Sequence, residues 1–187
     1  MKTVFNGKSV LLTGHTGFKG SWLCAWLHQM GAIVYGISME PPSNPFHFEA
    51  AEMDEWVDDQ RVDIRNYDAV KKIVLRIQPN FLFHLAAQPL VRRSYVDPIE
   101  TYQTNVLGTL NVLEALRSLD KPCVAVLITS DKCYDNVEWV WAYRETDPLG
   151  GPDPYSASKG AAELVIRSHV RSFFPVEGAV RIGIGRA

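Results

Sequence analysis

The chain has 187 residues, 47% of them hydrophobic and 21% charged, with a formal net charge of -2. This suits one globular domain with a sizeable core and lacks the basic excess of a nucleic-acid surface; no apolar run reaches the roughly 18 residues of a membrane span, and the opening residues through Lys8 lack a signal peptide's apolar core. Three cysteines, Cys24, Cys123 and Cys133, are odd in number and have no metal-ligand spacing, so a reducing, cytoplasmic setting without a metal site is expected.

The opening residues are expected to run straight into a short buried strand, Ser9 to Thr13. A glycine-spaced turn leads into a helix from Gly17 to Met30, with Trp22, Leu23, Trp26 and Leu27 assigned to one face. A second strand covers Ile33 to Ile37 and ends near Glu40-Pro41-Pro42, and a short third strand is expected over Arg61 to Ile64. A helix follows from Asp68 to Ile77, then strands over Phe81 to Leu85 and Val124 to Ile128, with a long helical stretch from Ile99 to Leu116 between them. Tyr155 to Phe174 reads as helix and Gly178 to Ile184 as extended chain. Continuous apolar strands alternating with amphipathic helices predict an α/β fold: a Rossmann-type doubly wound parallel sheet in three layers, α/β/α. Ligands of such sheets bind beyond the carboxyl ends of the strands, where Gly14, Glu40, Ala86 and Ser130 all fall.

Thr13-Gly14-His15-Thr16-Gly17-Phe18-Lys19-Gly20 closes the first strand and opens the first helix. Its G-x-x-G-x-x-G spacing is a variant of the dinucleotide fingerprint, in which glycine lets backbone approach a pyrophosphate and the helix N-terminus offers unpaired N–H groups. Gly14, His15, Thr16, Gly17, Phe18 and Gly20 are therefore candidate cofactor contacts, although spaced glycines also make an ordinary tight turn. Glu40, about twenty residues beyond the last glycine, could accept from ribose hydroxyls and would repel a 2′-phosphate, favouring NAD over NADP; it could equally be a solvated turn residue. Asp63 and Ile64 could flank an adenine, and Ala86, Ala87 and Gln88 are small enough at their strand end to let a cofactor pass, or simply to pack.

Tyr155 and Lys159, four residues apart, share one helical face. An ammonium there favours the phenolate of its neighbour, and a tyrosine so tuned removes a proton from a sugar or alcohol hydroxyl. Ser130-Asp131-Lys132 lies just upstream. The same residues could cap a turn and begin an ordinary amphipathic helix, for which Asp153-Pro154 is a suitable N-terminal boundary.

Taken together, TGHTGFKG, HLAAQ, Asn105 within TNVLGT, the Ser130 segment and YSASK resemble the extended short-chain dehydrogenase/reductase family, the NAD-dependent epimerases and dehydratases, across essentially the whole chain. GHTGFKGSW, HLAAQPLVR, ITSDKCYDN and the WVWAYRETDPLGG-DPYSASK run resemble, within that family, the nucleotide-sugar 4,6-dehydratases that act on CDP-glucose. The resemblance implies transient transfer of a hydride from C4 of the glucose ring to NAD, with Tyr155 taking the 4-hydroxyl proton. Lys159 would lower the Tyr155 pKa and hold the nicotinamide ribose, and Ser130 would bond the 4-oxygen. Loss of the C5 proton and the 6-hydroxyl then gives, after hydride return, a 4-keto-6-deoxy sugar of the kind used in polysaccharide biosynthesis. Asp131 is the candidate acid for the departing hydroxyl. Lys132 occupies the place where dTDP-glucose enzymes carry a glutamate base, and would act as a neutral base or as electrostatic support for the enolate. Asn105 would support active-site waters or helix geometry, as the resemblance implies, or merely bond backbone locally.

Other residues point less clearly. Trp139, Trp141 and Tyr143 could line a sugar or base pocket or belong to the core. His84 is read as a satisfied core histidine, and His15 as either touching phosphate or solvent-exposed. Leu90-Val91-Arg92-Arg93 could put cations near a diphosphate, or its arginines could equally be paired at the surface. Family members continue with a Gly-Asn-Val segment and a C-terminal region that builds most of the sugar-nucleotide pocket. Residues 1–187 are accordingly expected to be the NAD-binding, catalytic portion, truncated before the substrate domain. The resemblance also implies a homodimer formed through the Ile99 to Leu116 and Tyr155 to Phe174 helices. A nucleotide-sugar 4-epimerase and a non-catalytic NAD-binding module remain the alternative readings.

Overall fold

Along Ser9–Thr13, strand β1, alternation sends Val10 and Leu12 to one face and Leu11 to the other, all three fully buried. A strand apolar on both faces has to lie inside a sheet covered on both sides. In a computed structural model, which describes residues 2–41 and 45–187, it does. Strands β2 (Ile33–Ser38), β3 (Asp58–Arg61), β4 (Phe81–His84), β5 (Cys123–Thr129) and β6 (Val180–Arg186) lie parallel to it. Their order is β3-β2-β1-β4-β5-β6, so the chain reverses its direction of travel between β1 and β4, the switch point of a doubly wound sheet.

Helices α1 (Lys2–Phe5), α2 (Phe18–Gln29) and α3 (His47–Ala50) precede β3. They are followed by α4 (Tyr67–Ile77), α5 (Val91–Val96), α6 (Pro98–Tyr102), α7 (Thr109–Arg117) and α8 (Pro154–Phe173). One face of the sheet joins Leu11, Leu82 and Leu127 to Val74 of α4, Leu113 and Leu116 of α7 and Ile166 of α8. The other joins Val10 and Leu12 to Cys24 and Leu27 of α2, Phe48 of α3 and Met53. Each fully buried leucine contributes roughly 1.5–3 kcal/mol, against about 0–1 kcal/mol for an exposed ion pair. These two clusters, rather than the surface pairs, hold the layers together.

Several elements differ from the sequence expectation. The N-terminus makes one helical turn, α1, before β1. β3 lies three residues earlier than Arg61 to Ile64, because it is an edge strand paired only with β2 and its polar residues Asp58 to Gln60 are half-buried; edge strands tolerate such a sequence. Ile64, past the strand, is buried against Gly108, where an added Cβ would stand 2.6 Å from Ile64 Cδ1. The long helical stretch starts at Pro98, behind an Asp97 cap that accepts from Glu100 N at 2.8 Å, and widens into π-type turns over Gln103–Gly108. On α2 the buried residues are Gly20, Ser21, Cys24 and Leu27, whereas Trp22 and Trp26 are 55% and 54% exposed. At about 100° per residue, positions 20, 24 and 27 share a stripe that excludes 22 and 26; the Trp22 ring stacks instead on His47 at 4.2 Å. Pro42, named at the end of the second predicted strand, lies outside the described residues.

Candidate active site

The carboxyl ends of β1, β2 and β4 meet at Gly14. Its φ is +76°, its N–H donates to Ile37 O at 2.7 Å, and an added Cβ would stand 2.7 Å from Ala86 N. Only glycine fits this left-handed, crowded position. Gly20 brings α2 onto the turn, since a Cβ there would meet Gly14 O at 2.1 Å. No side chain caps the helix at Gly17, so the first N–H groups of α2 face the strand ends unpaired by a cap, which suits an anionic ligand. Thr16 ties the turn to β2 through Ser38 Oγ at 2.7 Å and Met39 O at 3.3 Å. Phe18 is 77% exposed at the start of the helix.

The His15 side chain neither touches the open side of the turn nor reaches solvent. It is 0% exposed and lies beneath β2, where a Cβ on Gly36 would stand 2.3 Å from its Cγ. The ring packs edge-on against Phe48 at 5.1 Å and bonds Asp59 Oδ1 through Nε2 at 2.9 Å. The absence of a side chain at Gly36 makes room for it. Burial lowers its pKa, with the Asp59 carboxylate opposing that shift. Only its backbone is left in the turn as a phosphate contact.

Glu40 stands two residues beyond β2 with its side chain 79% exposed, 3.5 Å from Arg61 Nη1. Asp63 is half-buried and committed to Arg65, at 2.8 Å from Nε and 2.5 Å from Nη2; these bonds hold its carboxyl below the ordinary range. Ala86 and Ala87 are half-buried past β4. The Gln88 side chain is turned into the protein, donating to Thr101 Oγ1 at 2.9 Å and accepting from Leu90 N at 2.7 Å. It is spent on structure, which leaves the two alanines as the open passage. Asn105, within the π-type turns, accepts from Gln88 N at 2.8 Å and donates to Gln88 O at 3.1 Å and Ser158 Oγ at 2.9 Å. π-type turns of this kind recur at functional sites.

Ser130 follows β5 and caps the 3-10 turn Asp131–Cys133. Its hydroxyl donates to Asp131 Oδ1 at 3.0 Å, while Asp131 and Lys132 are exposed at the rim. The start of α8 is set locally. Asp153 accepts from Ser156 N at 2.9 Å and from Ser156 Oγ at 2.6 Å, with Pro154 in the first turn. Tyr155 and Lys159 are 8% and 7% exposed. Burial, with Asp131 and Asp153 adding to it, pushes the Tyr155 phenol above its usual value, and the Ser130 side chain opposes that shift. The expected lowering is therefore not a property of the polypeptide by itself, because desolvation disfavours the phenolate. Lys159 is lowered to about 8 by burial. Its Nζ has one hydrogen-bond contact among the described residues, Ile128 O at 3.5 Å.

His84 is a bonded core histidine. Ala86 N donates to Thr13 Oγ1, which donates to His84 Nδ1 at 2.6 Å; Nε2 donates to Thr109 Oγ1 at 3.0 Å, which passes its proton to Asn105 O at 2.7 Å. Burial and then Lys159 push its pKa down to about 3. The aromatic residues between β5 and α8 are outside the core: Trp139 and Trp141 are 46% and 74% exposed, and Tyr143 stacks on Tyr134 at 5.0 Å. Arg93 is paired with Glu100 at 2.6 Å. All three cysteines are buried and free, with thiols pushed up to about 12 at Cys24 and Cys123 and about 11 at Cys133.

Thr13 and Ser158 lie within the quoted motifs without a role given to them there, and Glu163 lies outside every motif. Glu163 is fully buried, accepts from Thr129 Oγ1 at 2.6 Å and pairs with Arg186 at 2.9 Å. Its place one turn beyond Lys159 was the available signal.

The uncapped turn and the under-bonded Lys159 ammonium fit a dinucleotide: the turn offers N–H groups to phosphate, and Lys159 has donors to spare for ribose hydroxyls. A family model described as GDP-mannose 4,6 dehydratase matches residues 11–175. The chain is 49% identical to a Salmonella typhimurium protein named CDP-glucose 4,6-dehydratase, covering 100% of this chain and 52% of that protein. It is 31% identical to a Salmonella typhi protein named CDP-paratose 2-epimerase, over 88% of this chain and 53% of that one. Among solved structures, UDP-glucose 4-epimerase from Thermus thermophilus, in complex with NAD, superimposes with a TM-score of 0.79 at 28% identity, over 95% of this chain and 54% of that one. The chain thus spans about half the length of the curated relatives it matches.

Proposed function

The chain belongs to the GDP-mannose 4,6 dehydratase family, and on that basis we propose that it is the NAD-binding, catalytic portion of a nucleotide-sugar 4,6-dehydratase acting on CDP-glucose. The likeness to the Salmonella CDP-glucose enzyme over the whole chain carries this reading. NAD, when bound, supplies the hydride acceptor and donor. The first N–H groups of α2 would take its pyrophosphate, with Gly14 and Gly17 giving it room to approach the backbone; Glu40 would take the adenosine ribose and Lys159 the nicotinamide ribose. Asp63 and Ile64 would flank the adenine.

Tyr155 would remove the proton from the sugar 4-hydroxyl. Its elevated pKa in the polypeptide must be overcome at that moment; the Ser130 side chain works in that direction, and the Lys159 ammonium one helical turn away would add to it. Ser130 would hold the 4-oxygen beside the phenol. Asp131 and Lys132, at the rim and reachable from solvent, would serve the elimination, with Asp131 giving its proton to the departing hydroxyl and Lys132, as the neutral amine, taking the C5 proton and then, as the ammonium, opposing charge on the enolate. A 4-epimerase needs neither group, so this pair favours the dehydratase.

A homodimer is part of the same reading. Val96, Ile99, Leu107 and Leu164, on α5, α6, the π-type turns and α8, are 50–85% exposed, and apolar surface of that extent on paired helices suits a subunit contact. No helix among the described residues is long and apolar enough to cross a membrane, and a cytoplasmic site of action fits three free thiols.

The test is incubation of the protein carrying this chain with CDP-glucose and NAD, with the sugar nucleotide followed by mass spectrometry and NMR. Water loss to a 4-keto-6-deoxy sugar is the expected result. Inversion at C4 without water loss would assign it to the epimerases, and NAD binding without turnover would make it a non-catalytic module.

A further inference from the structure

Asp59 and Arg61, on edge strand β3, stand beside the proposed ribose-reading acid and belong to none of the motifs above. The two carboxylate oxygens of Asp59 reach in different directions: Oδ1 accepts from His15 Nε2 at 2.9 Å, and Oδ2 lies 2.7 Å from Arg61 Nη2. Arg61 in turn donates through Nη1 to Met39 O at 3.2 Å, stands 3.5 Å from Glu40 Oε2, and lies 5.8 Å from the centroid of the Phe48 ring. Contacts therefore run without interruption from inside the glycine turn, through β3, to the acid after β2. The Asp59 and Arg61 side chains are 18% and 33% exposed and braced on several sides, whereas Glu40 is 79% exposed and, among the described residues, has its one ion pair with Arg61.

An arginine beside such an acid ordinarily accommodates a 2′-phosphate. Here its fork is already engaged. Glu40 and Asp59 carry two negative charges against one positive charge on Arg61, and His15 stays neutral because burial opposes its protonation. We propose that Asp59 sets the choice between dinucleotides with a free adenosine 2′-hydroxyl and those with a 2′-phosphate, by locking Arg61 alongside Glu40. The inference rests on the reading of this crevice as a dinucleotide site.

Two substitutions move the preference in opposite directions, which general damage to the strand would not do. In Asp59→Asn the amide oxygen still accepts from His15 Nε2, but an NH2 group faces Arg61. The guanidinium is released and one negative charge is lost, so the preference for NAD over NADP should narrow by roughly tenfold. In Arg61→Gln the only cation of the cluster disappears and the preference should widen. Arg61→Lys keeps the charge but cannot bridge Asp59 and Met39 with a planar fork; it should narrow the ratio, and serves where Arg61→Gln does not fold.

Affinities for NAD and NADP are to be measured by calorimetric titration of the wild type and the variants at one fixed ionic strength. Narrowing of the ratio in Asp59→Asn with widening in Arg61→Gln or, where Arg61→Gln does not fold, narrowing in both Asp59→Asn and Arg61→Lys, supports the inference. A wild type that binds NAD, with ratios unmoved in the variants, moved together in Asp59→Asn and Arg61→Gln, or moved in the reverse sense, overturns it alone. A wild type that binds neither dinucleotide removes the dinucleotide-site reading and this inference with it.

Discussion

The carboxamide of Asn105 and the hydroxyl of Ser158, 53 positions apart in the chain, meet at 2.9 Å beneath the first turn of α8. The Ser158 hydroxyl donates a hydrogen bond to Tyr155 O at 2.6 Å, and Asn105 exchanges two further bonds with the backbone of Gln88. One buried amide thus fixes the turn that carries Tyr155 against the strand end that carries Ala86 and Ala87.

Replacing that amide should cost stability first. Asn105→Ala strands the Gln88 N–H and C=O in a site that is 1% exposed, and unsatisfied buried groups cost about 1–3 kcal/mol each. A loss of about 3 kcal/mol, read as a fall in Tm of roughly 6–12 °C by calorimetry, is the expected outcome. A change of a degree or less would mean that water replaces the amide.

Tyr155→Phe removes the phenol and leaves the ring. With the proton acceptor gone, turnover of CDP-glucose by the protein carrying this chain should fall at least about 100-fold. NAD affinity should stay close to wild type, because Lys159 and the glycine turn are untouched. Retained turnover would remove Tyr155 from the proposed mechanism.

Lys159 trades stability for its proposed role. With a pKa lowered from 10.5 to about 8, it binds fewer protons in the folded than in the unfolded state between those values. Its burial cost is therefore fully present below pH 8 and is relieved as pH rises toward 10.5. Lys159→Met should be more stable than wild type at pH 7, by about 1–3 kcal/mol, should lack that gain in alkali, and should bind NAD more weakly. Denaturant titrations of both proteins at pH 7 and pH 9.5 measure the first two; a less stable methionine variant at pH 7 would contradict the burial argument.

His84 works in the opposite pH range. Its ring, held neutral with a pKa of about 3 against 6.5 unfolded, contributes stability that is fully present above pH 6.5 and lost as pH falls toward 3. Between pH 6.5 and 5, above the ordinary carboxylate range, wild-type stability should fall by up to about 1.4 kcal/mol per pH unit from this group, with buried His15 adding to the slope. His84→Gln should flatten that part of the curve. An unchanged slope would show that the ring is not excluded from protons as its Thr13 and Thr109 bonds imply.

Features written within a few neighbouring residues were legible from the amino-acid order alone. Apolar runs such as Val10-Leu11-Leu12 and Phe81 to His84 specify strands covered on both faces, Gly14 admits a turn that other residues cannot make, and Asp153-Pro154 starts a helix on which Tyr155 and Lys159 share a side. Whatever depends on segments far apart in the chain was settled by the packed molecule. Packing turned His15 inward beneath Gly36, left Trp22 and Trp26 outside, brought Asp59 and Arg61 to Glu40, and raised the Tyr155 pKa where the spacing with Lys159 alone implied a lowering. Periodicity and caps follow from local sterics and one helical turn, whereas burial, register at a polar edge strand and the balance of desolvation against charge are set by how the layers close on one another.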